Sequence, residues 1–115
     1  MSDFYTALEA IRQEVSPSAY ARAKELIMRW SLHSDFPLPH PEPIPGPDGQ
    51  ISLKWYRPIH DGLGGQALYV EPTVDTLHYA FFDPETGEKD YGWVAWDDSA
   101  KLNHVRQLTK VFLSK

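Results

Sequence analysis

Residues 37–55 read PLPHPEPIPGPDGQISLKW, with a proline at every second position from Pro37 to Pro47. Each ring fixes its own φ and removes a backbone donor, so a helix or a central strand is excluded here. Each proline also pushes the residue before it out of the α region. At period two, every residue from Phe36 to Pro47 is therefore held extended. At about 3.1 Å per residue, residues 37–47 span roughly 34 Å, the width of a small domain. The spacing predicts a strut that crosses the domain and has little chain freedom to lose on folding. Proline-recognition domains need prolines at i and i+3. Every separation here is even, which argues against a ligand for such a domain.

Downstream, Gly46-Pro47-Asp48-Gly49 signals a turn. Ile51, Leu53 and Trp55 then alternate along a first strand, residues 51–57, with that face inward. The segment PIHDGLGGQ, 58–66, is glycine-rich. Ala67 to Glu71 reads as a second strand with Leu68 and Val70 inward, and Leu77, Tyr79 and Phe81 alternate in a third. After the turn Asp83-Pro-Glu-Thr-Gly87, Lys89 to Ala95 makes a fourth, with Tyr91 and Trp93 on one face. Short connections favour antiparallel neighbours, hence a four-stranded meander.

Upstream, Phe4, Ala7, Leu8, Ile11 and Val15 recur at helical spacing and predict an amphipathic helix over 3–14. Ser16-Pro17 restarts a helix, with Ser as N-cap and Pro at the first helical position. This second helix runs to about residue 33 and carries Ala19, Ala23, Leu26, Ile27 and Trp30 as its apolar stripe. Asp97 or Asp98 can cap a last helix with Leu102, Val105, Leu108 and Phe112 inward. The order ααββββα is an α+β class. It forms one domain: helical 1–35, proline-rich strut 36–50, β-meander 51–96 and C-terminal helix 97–115.

The chain has 115 residues, enough for one core without staples. Aromatics make up 13% of it, which excludes wholesale disorder. It has no cysteine, so disulfides, thiolate zinc sites and a Cys nucleophile are excluded. No apolar run reaches the ~20 residues of a membrane span, and the N-terminus lacks the basic start of a signal peptide. The expectation is a cytoplasmic protein with no membrane contact. Its net charge of −5 is unevenly spread. Glu71, Asp75, Asp83, Glu85, Glu88, Asp90, Asp97 and Asp98 face a single base, Lys89, across residues 71–98, whereas residues 100–115 carry Lys101, Arg106, Lys110 and Lys115 and no acid. An acidic face steers a basic partner and repels nucleic acid.

The segments SPSAYARAKELI, PLPHPEPIPGPDGQISLKW, LYVEP, LHYAFF and TGEKDYGWV, within residues 16–95, resemble a loose group of small bacterial and phage proteins of unknown function. Their shared pattern is a helix, a P-x-P segment, an Asp-Gly turn, an alternating strand ending in Trp, and a meander. Pro43, Pro45, Asp48, Gly49, Ile51, Leu53 and Trp55 match it, and Gln50 departs from it. The resemblance implies no catalytic residue. It implies an accessory gene of a phage or mobile element, a setting rich in inhibitors, antitoxins and immunity proteins.

Little in the sequence carries chemistry. His33, His40, His60, His78 and His104 do not fall at metal-binding spacings. His60-Asp61 is the best local acid–base or metal pair, yet neighbours in a glycine-rich loop make a poor preorganised site. Gly62-Leu-Gly-Gly65 precedes a strand, whereas a phosphate loop opens onto a helix N-terminus. No catalytic residue, metal or cofactor is assigned.

The outward sheet face should carry Lys54, Tyr56, Tyr69, His78, Ala80 and Val94. Either a helix covers it, or its aromatics are exposed as protein-binding anchors. The expected function is a non-catalytic binding protein that meets a basic protein partner through Tyr56, Tyr69 and His78, with Asp83, Glu85 and Glu88 on a solvent-projecting turn. Nucleic acid is disfavoured by the same acids. The alternative is a small hydrolase or ligand-binding enzyme subunit using the 58–66 loop and neighbouring acids.

Overall fold

A computed structural model describes residues 3–59 and 64–113. The chain runs α1 (Phe4–Ala10), a 3-10 turn (Arg12–Glu14), α2 (Pro17–His33), β1 (Glu42–Pro45), β2 (Ile51–Pro58), β3 (Gly65–Pro72), β4 (Thr76–Asp83), β5 (Glu88–Ala95) and α3 (Ser99–Leu108). A second 3-10 turn (Thr109–Phe112) follows α3. The strands form one antiparallel meander in chain order, β1 to β5. The α+β class and the meander match the sequence reading, but the sheet has five strands, not four.

The additional strand is cut from the proline run itself. Pro43 pairs with Leu53 and Pro45 with Ile51. Successive N–H groups of an extended chain point to opposite edges, so prolines two apart place every missing donor on the same edge. Glu42 and Ile44 thus keep their amides for β2, opposite Lys54 and Ser52. Such a strand is possible only at a sheet edge, and its outer side cannot template further pairing. The rest of the run is fastened as well. The Trp55 indole Nε1 donates to the Pro39 carbonyl at 2.7 Å, and the Phe4 amide donates to His40 Nδ1 at 3.2 Å. The turn that follows is pinned to the start of α2, where the Ser16 amide donates to the Gly49 carbonyl at 2.9 Å. Gly49 takes φ +85° there, a conformation that strains any residue with a side chain.

Each helix is capped by the residue its sequence offers. Asp3, Ser16 and Asp98 accept from the amides of Thr6, Ala19 and Lys101 at 2.9, 3.1 and 3.1 Å. The stripe Ala19, Ala23, Leu26, Ile27 and Trp30 of α2 is buried over β2 and β3. Phe4 and Leu8 of α1 and Val105 of α3 complete the core. Opposite them lie Ile51, Leu53, Trp55, Leu68, Val70, Leu77, Phe81 and Val94, all buried on one sheet face. The described helices therefore share that face. α1 is shorter than the 3–14 expected, and α3 starts two residues after Asp97.

One strand departs from its expected facing. Leu77 pairs with Val94, so Val94 points inward and Tyr91 and Trp93 point outward. The inward positions of β5 are Asp90, Gly92 and Val94. Gly92 lies beside the Tyr79 ring, which a Cβ added there would meet at 3.8 Å, an ordinary van der Waals contact.

Trp55 is 2% exposed and its ring centroid lies 6.3 Å from that of Trp30. Trp55→Ala should cost about 3–5 kcal/mol, and Trp55→Phe, which keeps a ring but loses the bond to Pro39, roughly 1 kcal/mol. Denaturant unfolding measures both, and an unchanged midpoint for the alanine variant would refute the packing described. Hydrogen exchange tests β1: the Glu42 and Ile44 amides should be protected, and exchange at the rate of an unstructured chain at both would remove β1 from the sheet.

Candidate functional site

The outer sheet face is left uncovered by the described residues, and its cross-strand rows can be read from the pairing. One row runs Glu42, Lys54, Tyr69, Ala80, Tyr91; the next runs Tyr56, Ala67, Phe82, Lys89; a third holds Glu71, His78 and Trp93. Five aromatic side chains on it are open to solvent: Tyr56 at 50%, Tyr69 at 43%, Phe82 at 42%, Tyr91 at 74% and Trp93 at 66%. Ala67 and Ala80 lie between the aromatic positions of neighbouring strands, so small residues alternate with large ones across the face. The cations of this face rest on rings. Lys54 Nζ lies 5.2 Å from the Tyr56 centroid and 5.8 Å from that of Tyr69, and Lys89 Nζ lies 5.9 Å from that of Phe82.

Tyr56, Tyr69 and His78 share this surface. Glu85 and Glu88 are exposed at the β4–β5 turn. Asp83 is not a solvent-projecting residue of that turn: it is only 7% exposed. Its Oδ2 accepts from Gln66 Nε2 at 3.1 Å and its Oδ1 from the Glu85 amide at 3.0 Å. An Asp opening a tight turn satisfies the backbone amide two residues on, so this carboxylate anchors the turn from inside. Phe82, Tyr91 and Trp93, which the sequence reading does not assign to this face, join it through the register of β3, β4 and β5. His60-Asp61 lies outside the described residues. Among the described residues, no group of three or more metal-ligating side chains comes together.

Among the described residues, the inner face brings three ionisable side chains together. Asp90 accepts from the Tyr79 hydroxyl at 2.8 Å and from His104 Nε2 at 2.5 Å, tying α3 to β4 and β5. Burial alone would raise the Asp90 carboxyl, but the hydrogen bonds from His104 and Tyr79 outweigh it and hold the group below its ordinary value. The Tyr79 phenol is pushed up to about 12, first by burial and then by its bond to Asp90. These contacts were not legible beforehand, because the three residues are brought together only by register and helix docking.

No family model, curated protein or solved structure matches the chain.

The cluster makes stability depend on pH. A carboxyl whose folded pKa lies below its unfolded one contributes stability that is present above the unfolded value, near 3.8, and is lost as pH falls through the folded value. Asp90→Asn should therefore cost roughly 1–2 kcal/mol near neutrality, with the gap to wild type closing in acid. Denaturant midpoints across pH 2–7 measure it; a gap constant over that range would show that Asp90 acts without its charge.

Proposed function

We propose that this chain is a non-catalytic binding protein that docks a basic partner protein on the outer face of its sheet. The observation that carries this reading is the set of five exposed aromatics on one uncovered face. Isolated exposed apolar side chains need no explanation, but a contiguous patch marks an interaction surface. Tyr and Trp are the residue types that anchor protein interfaces, where they bring large area at little entropic cost.

Charge complementarity names the partner's chemistry. Rings of this face already hold Lys54 and Lys89, and a partner's lysines and arginines can use the same ring faces. Glu42, Glu85 and Glu88 are exposed, and the chain carries −5 overall. This favours a basic protein over nucleic acid, whose phosphates the same charge repels. The finer form of the proposal, resting on the resemblance of residues 16–95, is an inhibitor, antitoxin or immunity protein of a bacterium or phage that acts by masking its partner's surface.

The test begins with a pull-down from the native host and proceeds with variants on the recovered partner. Tyr91→Ser combined with Trp93→Ser should weaken binding by about 30-fold or more, as loss of interface anchors does. Glu85→Lys with Glu88→Lys should slow association and flatten its salt dependence. Both variants should keep the wild-type denaturant midpoint. A partner bound equally well by both would place its interface elsewhere on the molecule.

A further inference from the structure

On the helical side of the protein, opposite the aromatic sheet face, α2 and α3 flank a cleft of about 620 Å³, within the ~300–1,000 Å³ usual for small-molecule sites. Leu26, Trp30, Trp96 and Leu102 form its apolar part. The Trp96 indole N–H is already taken by the Thr73 carbonyl at 2.9 Å, so this residue offers the cleft its ring and not a donor. Such a lining suits a ring-sized apolar body.

The charged part of the lining is unlike the rest of the chain. Three guanidinium groups, Arg22, Arg29 and Arg106, meet one carboxylate, Glu25. Glu25 pairs with Arg29 at 3.3 Å on the exposed side of α2. The charges of Arg22 and Arg106 are left without a carboxylate among the described residues of the lining, in a protein of net charge −5. Arg106 has a structural duty: it donates to the His33 carbonyl at the end of α2 and to Asn103 Oδ1. That duty leaves its Nε unused. Both Arg22 Nε and Arg106 Nε are buried and have no hydrogen-bond partner among the described residues. Because both Nε atoms are enclosed, an anion in the cleft meets the Arg22 Nη groups, which make no hydrogen bond among the described residues, with Arg106 adding its charge from α3. Guanidinium matches a carboxylate through parallel N–H···O bonds.

We infer that this cleft binds a small organic carboxylate, with its apolar ring against Leu26, Trp30, Trp96 and Leu102 and its anionic head on Arg22 and Arg106. The site is independent of the sheet face: it lies on the other side of the core, and its charge has the opposite sign.

The probes are 1-naphthoate and its neutral isostere 1-naphthamide, titrated into the full chain and followed by the indole N–H signals in heteronuclear NMR. Naphthoate should shift Trp30 and Trp96 saturably while leaving Trp93, on the outer face, in place. It should bind about tenfold tighter than the amide, the contribution of one charge-assisted hydrogen bond. Arg22→Gln should erase that preference without moving the denaturant midpoint, and Arg106→Gln should do the same if α2 and α3 stay docked. Equal affinity for the two probes, shifts at Trp93 instead, no saturable binding, or an unchanged preference in Arg22→Gln would each overturn the inference.

Discussion

The hydrogen bond from the Trp55 indole to the Pro39 carbonyl, at 2.7 Å, joins the parts of this protein that otherwise have least reason to meet. A proline-rich segment cannot hold itself in place, because it has few donors and no internal ladder. Trp55 supplies the missing donor from the middle of β2. Its ring meanwhile packs beside Trp30 of α2, so one side chain ties strut, sheet and helix together. The donor is satisfied in a buried setting where an unpaired indole N–H would be costly. The strut is thereby laid along the sheet, and its second half becomes β1.

That arrangement makes the protein one-sided. The prolines close one edge of the sheet, and α1, α2 and α3 take its inner face. The aromatic outer face remains open, and the cleft between α2 and α3 opens on the other side. The two surfaces differ in chemistry for a simple reason. Acids crowd the turns and strand ends of residues 71–98, whereas arginines fall on the helix sides that flank the cleft. A fold with −5 net charge can thus present a ring-rich surface suited to cations and a guanidinium-lined cleft suited to anions without either field cancelling the other.

Where the sequence reading went astray, the reasons are particular. Proline cannot donate to a ladder, so the run reads as a strut and not as a central strand. At an edge only alternate residues need to donate, and period two supplies those alternates. Alternation alone leaves the facing of β5 open, because Tyr91 and Trp93 fall on one face and Val94 on the other, and all three are apolar. What decides β5 is its register on β4: Val94 lies opposite Leu77 and is buried with it. Asp83 was counted with its charged neighbours as a surface acid, but a turn-opening Asp serves the backbone first.

Local rules were enough for much of the rest. Helix starts at Ser16 and at Asp97 or Asp98, the alternation of β2 to β4, the inward stripe of α2 and the burial of Trp55 all follow from period, capping and turn chemistry within a few residues. Tyr56, Tyr69 and His78 fall on one face because they share strand parity. The exposure of that face, the Tyr79–Asp90–His104 cluster and the arginine-lined cleft could not be read this way. Each depends on which sheet face the helices choose and on how α3 docks against α2, and those choices are made by long-range packing, which leaves no periodic mark in the chain.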